Sequence, residues 1–173
     1  MSKTLNSLGL SVNQKKVKVS TTDDLINYRS FKIFDLLKNG EAKKDKDKVE
    51  QFVDHYLELL NNSGLSNIKD NGTPLLNRAL FCPAIRNIDI SKRTKLMSCY
   101  LDDEYLKNAR AIHLEKIYKL FHKNDKQEFI KKLNSLSKKL IHNAFHYELL
   151  NFYRRNRIDS KSIEKRIEKL SKV

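Results

Sequence analysis

Gln127–Arg157 reads QEFIKKLNSLSKKLIHNAFHYELLNFYRRNR, the longest periodic run in the chain. Phe129, Leu133, Leu136, Leu140 and Ala144 recur at helical spacing. That spacing predicts one long helix, with those residues inward, as the main packing helix of its fold. At about 100° per residue, Lys132, Lys139, His142 and His146 share another side of the same helix. Lys131, Lys138, Arg154, Arg155 and Arg157 flank it. These nine residues form the candidate anion-binding or nucleic-acid-binding face, with Phe152 and Tyr153 available to stack on bases.

His142-Asn143-Ala144-Phe145-His146 also has the i, i+4 histidine spacing of a zinc-binding helix. Asn143 stands where a hydrolase of that kind needs its general-base glutamate, and no third ligand is near. The neighbouring lysines disfavour bringing in a cation. The stretch is read as a place to meet an anion, and neither metal nor cofactor is assigned.

Composition sets the class around this stretch. Four glycines and two prolines in 173 residues, with 32% charged residues, leave few of the tight turns an all-β fold needs. The expectation is an all-α, compact multi-helix bundle. Residues 1–20 are expected as a flexible arm and 21–173 as a single helical domain, strongly basic over 101–173. The net charge is +14, and it is uneven. Residues 1–106 carry 17 Lys/Arg against 14 Asp/Glu; residues 107–173 carry 18 against 7. Such a field attracts phosphates, anionic lipid or an acidic protein face. Cys82 and Cys99 form no framework and no CxxC pair, which suits buried thiols in a reducing, intracellular (cytoplasmic) compartment. No run of about 18 apolar residues predicts a membrane span, and no secretory signal peptide is visible.

Along the chain, Thr21 to Asp24 is expected to open a first helix that Gly40 stops. A second helix follows the charged run 41–48, with Val49, Phe52, Val53, Tyr56, Leu57 and Leu60 as its stripe and His55 facing solvent. It ends at 61–64. Thr73 and Pro74 are expected to cap and start a short helix that runs to Cys82 before Pro83. A helix over 92–101 comes next. Asp102-Asp103-Glu104 caps a longer one whose inner stripe runs through Leu106, Ala109, His113 or Leu114, Ile117 and Phe121. A final helix over 160–170 carries Ile163, Ile167 and Leu170 on one side.

Leu57-Glu58-Leu59-Leu60, Gly64, Asn67, then Asp70-Asn71-Gly72-Thr73-Pro74-Leu75 and Ala79 follow the order of an ankyrin repeat: helix end, glycine turn, Asn, then D-x-x-G-x-T-P-L and Ala. Residues 49–101 therefore resemble an ankyrin-like segment, with Leu76 where the family has His. The resemblance implies a stack of helical hairpins and a protein-binding role, with Leu76, Arg78 and Arg86 as candidate contacts.

No G-x-S-x-G motif and no glycine-rich phosphate loop is present. The sequence thus points to a non-enzymatic intracellular protein-interaction module, whose partner is another protein with an acidic surface. The alternative is a helical nucleic-acid-binding protein that contacts phosphates through its basic C-terminal third.

Overall fold

Helices make up nearly all the regular structure in the computed structural model, which describes residues 37, 39–65, 67–70, 72–141 and 143–173. The fold is an all-α multi-helix bundle with one very short hairpin. The expected arm over 1–20 and the helix from Thr21 lie outside the described residues. The chain divides into two compact units, one up to Arg93 and one from Thr94 onward.

In the first unit, α1 (Gly40–Lys44) starts from Asn39, whose side chain accepts a hydrogen bond from Glu41 N–H at 2.9 Å. Gly40, expected as a stop, thus opens a helix. Asp45 ends α1 and caps α2 (Lys46–Ser63), accepting from Asp47 N–H at 2.9 Å. An acceptor here satisfies an N–H with no partner inside its own helix. Gly64 closes α2 in the left-handed conformation, φ 67°. α2 buries Val49, Phe52, Val53, Tyr56 and Leu59. Leu57 and Leu60 are only half-buried, so the stripe is rotated from the expected one. His55, expected to face solvent, is 7% exposed. It belongs to the set Phe52, His55, Tyr56, Leu59, which recurs at i, i+3, i+4, i+7.

β1 (Lys69–Asp70) and β2 (Thr73–Pro74) pair antiparallel, with Gly72 at φ 78° between them. Thr73 and Pro74 are therefore strand residues rather than helix cap and first turn. A residue before proline is driven out of the α region, which suits Thr73 to extended pairing. α3 (Leu76–Leu80) starts two residues later, from Leu75, with no side-chain cap. A 3₁₀ turn (Pro83–Asn87) leads to α4 (Ile90–Tyr100), within which the second unit begins.

The second unit continues with α5 (Asp103–Leu106), α6 (Ala111–Leu120), α7 (Lys123–Lys139), α8 (Asn143–Arg155) and α9 (Lys161–Ser171). Asp102 caps α5 as expected, accepting from Tyr105 N–H at 3.1 Å. The helix it opens ends at Leu106, and α6 begins separately. The long helix expected over 127–157 is two helices. Leu140 is extended, φ −87° and ψ 148°, and α8 starts afresh at Asn143.

The reason lies in the phase of the apolar residues. α7 buries Phe129, Leu133 and Leu136; α8 buries Phe145, Leu149, Phe152 and Tyr153. On one continuous helix, at 100° per residue, those two sets would lie about half a turn apart. Breaking the helix at Leu140 lets both faces enter one core. There Phe152 meets Phe129 at 6.3 Å and Tyr118 at 5.6 Å between ring centres, and Phe121 meets Phe129 at 5.4 Å.

α8 ends with Arg157 at φ 56°, and Ile158 N–H reaches back to Tyr153 O at 2.9 Å. This closure normally takes glycine, because an L side chain is strained there by about 1–2 kcal/mol. Arg157→Gly is expected to raise stability by about 1 kcal/mol. Thermal denaturation should show a Tm about 2–4 °C higher. A Tm at or below that of the unaltered chain would sink this account of the turn.

Candidate functional site

α8 is held by polar side chains at both of its neighbours' ends. The last carbonyls of α7 have no acceptor-matching N–H within their own helix. His146 Nε2 lies 3.0 Å from Ser137 O, and since a carbonyl only accepts, Nε2 carries the proton. Arg166 of α9 donates through Nη2 to Lys138 O at 3.3 Å and Leu140 O at 3.0 Å. A cation there also complements the negative end of the helix dipole. At the other side, Glu148 accepts from Ala111 N–H, the first residue of α6, at 2.7 Å. Tyr153 Oη donates to Asn134 Oδ1 at 2.7 Å, and burial holds the phenol well above its ordinary pKa.

This arrangement corrects the histidine reading. His146 is 0% exposed and meets Ser137 O as a helix cap, so it is not part of an exposed basic face. With α7 and α8 separate, His146 no longer shares a helix side with Lys132 and Lys139. His142 lies outside the described residues. Leu76, expected at a protein-binding surface, is 0% exposed and belongs to the core of the first unit. It falls on the α3 face with Ala79 and Leu80, both buried. Arg78 is half-buried and Arg86 exposed.

The basic residues separate into two groups. Lys131 pairs with Glu128 at 2.8 Å, Lys132 with Asp103 at 2.6 Å, Arg154 with Glu164 at 2.9 Å and Arg155 with Glu115 at 3.0 Å. Lys119 shares Glu115 at 2.8 Å, and that contact leads the causes holding the Glu115 carboxyl below its usual range. Lys138, Lys139 and Arg157 are exposed and make no ion pair among the described residues. Lys138 and Lys139 end α7 beside the corner, where Ile141 is 75% exposed and Tyr147 55% exposed. Ala144 is exposed between them. Exposed Ile141 and Tyr147 thus lie within a few residues of Lys138 and Lys139 in sequence, and Arg166 reaches the Lys138 and Leu140 carbonyls. Sequence periodicity missed it, because an unbroken helix leaves no corner; the half-turn phase change was the available signal.

In the first unit, Asp47, Glu50, Gln51, Asp54, His55, Glu58 and Lys92 line an open cleft of about 420 Å³. Lys92 Nζ already sits in it, 2.8 Å from Asp54 and 3.7 Å from Glu50. Among the described residues no group of three or more His, Cys, Asp or Glu is placed to hold a metal. Both thiols are held protonated at neutral pH. Burial pushes Cys82 and Cys99 up to about 11, and each Sγ donates to a carbonyl of its own chain segment, Arg78 O and Lys95 O. A protonated thiol is a poor nucleophile. No described helix is long and apolar enough to cross a membrane.

His113 gives the second unit a pH response. Its Nδ1 accepts from Arg110 N–H at 3.2 Å, which requires the neutral ring. Burial, then the Arg110 charge, lowers its pKa below 6.5, against an opposing pull from Glu148. The unfolded chain therefore binds this proton first. Stability should be full above the ordinary value of 6.5 and fall as pH drops through it toward the lowered folded value. His113→Gln keeps an acceptor at this helix position. It is expected to flatten denaturant-measured stability between about pH 5 and 6.5, a window above the carboxylate range. An equal slope in both chains would rule the assignment out.

Compared with protein-family models, curated proteins and solved structures, the chain matches none.

Proposed function

We propose that this chain is a non-enzymatic protein-interaction module that docks the acidic surface of a partner protein on the α7–α8 corner. The observation that supports it is the exposure of Ile141 and Tyr147 close in sequence to exposed Lys138 and Lys139, which make no ion pair among the described residues. An apolar anchor inside a polar rim is the usual anatomy of a protein-binding patch. Phosphate-backbone binding asks instead for a run of available cations. Four of the nine candidate residues, Lys131, Lys132, Arg154 and Arg155, are occupied by carboxylates. The ankyrin-like order of residues 57–79 points the same way.

The test uses two titrations of the full chain. One probe is a fluorescent acidic peptide helix with Glu and Leu on opposite faces; the other is a generic 30-mer RNA or duplex DNA. The peptide should bind, and Tyr147→Glu or Ile141→Asp should weaken it by about 30-fold, as expected for loss of an interface hot spot. Nucleic acid should bind only at low salt. Nucleic-acid binding that persists at physiological salt and ignores Tyr147→Glu would replace this reading with the nucleic-acid one.

A further inference from the structure

We infer that the α7–α8 corner is a swap hinge, through which two copies of this chain exchange α8 and α9. Three observations carry it. First, Gln127–Arg157 contains neither glycine nor proline, so nothing in its backbone chemistry compels a break at Leu140–Ile141. Second, apart from Leu140 N–H on Leu136 O at 3.0 Å, the bonds to the corner's carbonyls come from side chains: His146 to Ser137 O, and Arg166 to Lys138 O and Leu140 O. If α7 ran straight into α8, those carbonyls would receive N–H groups of their own helix four residues on. Third, the apolar faces of α7 and α8 would then lie about half a turn apart. A single chain could not bury both. Two chains could, each straight helix giving its first half to one core and its second half to the core opposite.

α9 travels with α8. Arg154 and Glu164 join them at 2.9 Å, and Ile163 of α9 is buried. The contacts from α8 to the rest of the unit are then re-formed between copies. They include Glu148 on Ala111 N–H, Arg155 on Glu115 and Tyr153 on Asn134. Only the corner changes. A short connection between packed elements is the setting in which such exchange is cheap. Residues 94–173 carry 19 Lys/Arg against 10 Asp/Glu, so copies repel and added salt favours the exchanged form.

The full chain is refolded at high concentration in raised salt and separated by size exclusion with light scattering. Spin labels at the exposed positions Glu128 and Asn151, diluted with unlabelled chain, report whether α7 and α8 are continuous. A straight helix sets those sites about 35 Å apart within one chain. A dimer showing that distance, absent from the monomer, is the expected result. Arg166→Ala removes corner bonds and should raise the dimer-to-monomer ratio about tenfold. Ile141→Pro, which follows the extended Leu140, should abolish the dimer because proline cannot sit inside the straight helix. The inference fails if only monomer forms, if a dimer lacks the 35 Å separation, or if Arg166→Ala leaves the ratio unchanged.

Discussion

The end of α7 must give its last carbonyls to something, and the second unit is built around how it does so. Within one chain folded on itself the helix cannot continue, because continuing would turn the aromatic face of α8 away from its own core. Once it stops, Ser137, Lys138 and Leu140 each expose a carbonyl that no N–H of α7 reaches. His146 and Arg166 supply the donors. Both must be placed by helices that pack correctly. The corner and the core therefore specify each other. A buried histidine unable to reach Ser137 would be costly, and so would a helix end without its cap.

Apolar burial outweighs the surface charges in holding this arrangement. Truncating a buried aromatic such as Phe152 costs about 3–5 kcal/mol, while an exposed ion pair contributes about 1 kcal/mol or less. The pairs Lys131–Glu128 and Lys172–Glu168 join well-exposed side chains on single helices and are of the weaker kind. Their effect is local: they decide which cations remain available for contact. In the first unit the buried stripe of α2 does the same structural work. The stacked Phe52 and Tyr56 rings, 6.3 Å apart, mark its centre.

The fold class was legible from the scarcity of glycine and proline, and α2 from its apolar spacing. Val49, Phe52, Val53 and Tyr56 are buried where that spacing puts them. What the sequence hid has one physical source: a side chain's role depends on what lies across from it. Thr73-Pro74 is helix-opening chemistry unless Lys69 and Asp70 lie alongside to pair with it. His146 is polar by type and sits between lysines and tyrosines in sequence, yet its partner is a carbonyl nine residues back. Leu76 resembled a contact residue only by position in a motif, and its burial follows from Ala79 and Leu80 on the same face. The helix break was different. Its signal, the shift in phase from Phe129–Leu136 to Phe145–Phe152, was present in the sequence and was obscured by following one stripe through Ala144.

The division of cations into paired and unpaired has a kinetic meaning. A pair such as Arg155–Glu115 withdraws a guanidinium from contact, but it leaves the summed charge of the unit unchanged at a distance. The rate at which an anionic molecule arrives should thus follow the whole excess of Lys and Arg and weaken with ionic strength. How long it stays is a separate matter, decided by desolvated contact at the point of docking. On the proposed docking reading, exposed and uncharged Ile141 and Tyr147 set that lifetime. Encounter and residence are then governed by different side chains, and salt acts chiefly on the first.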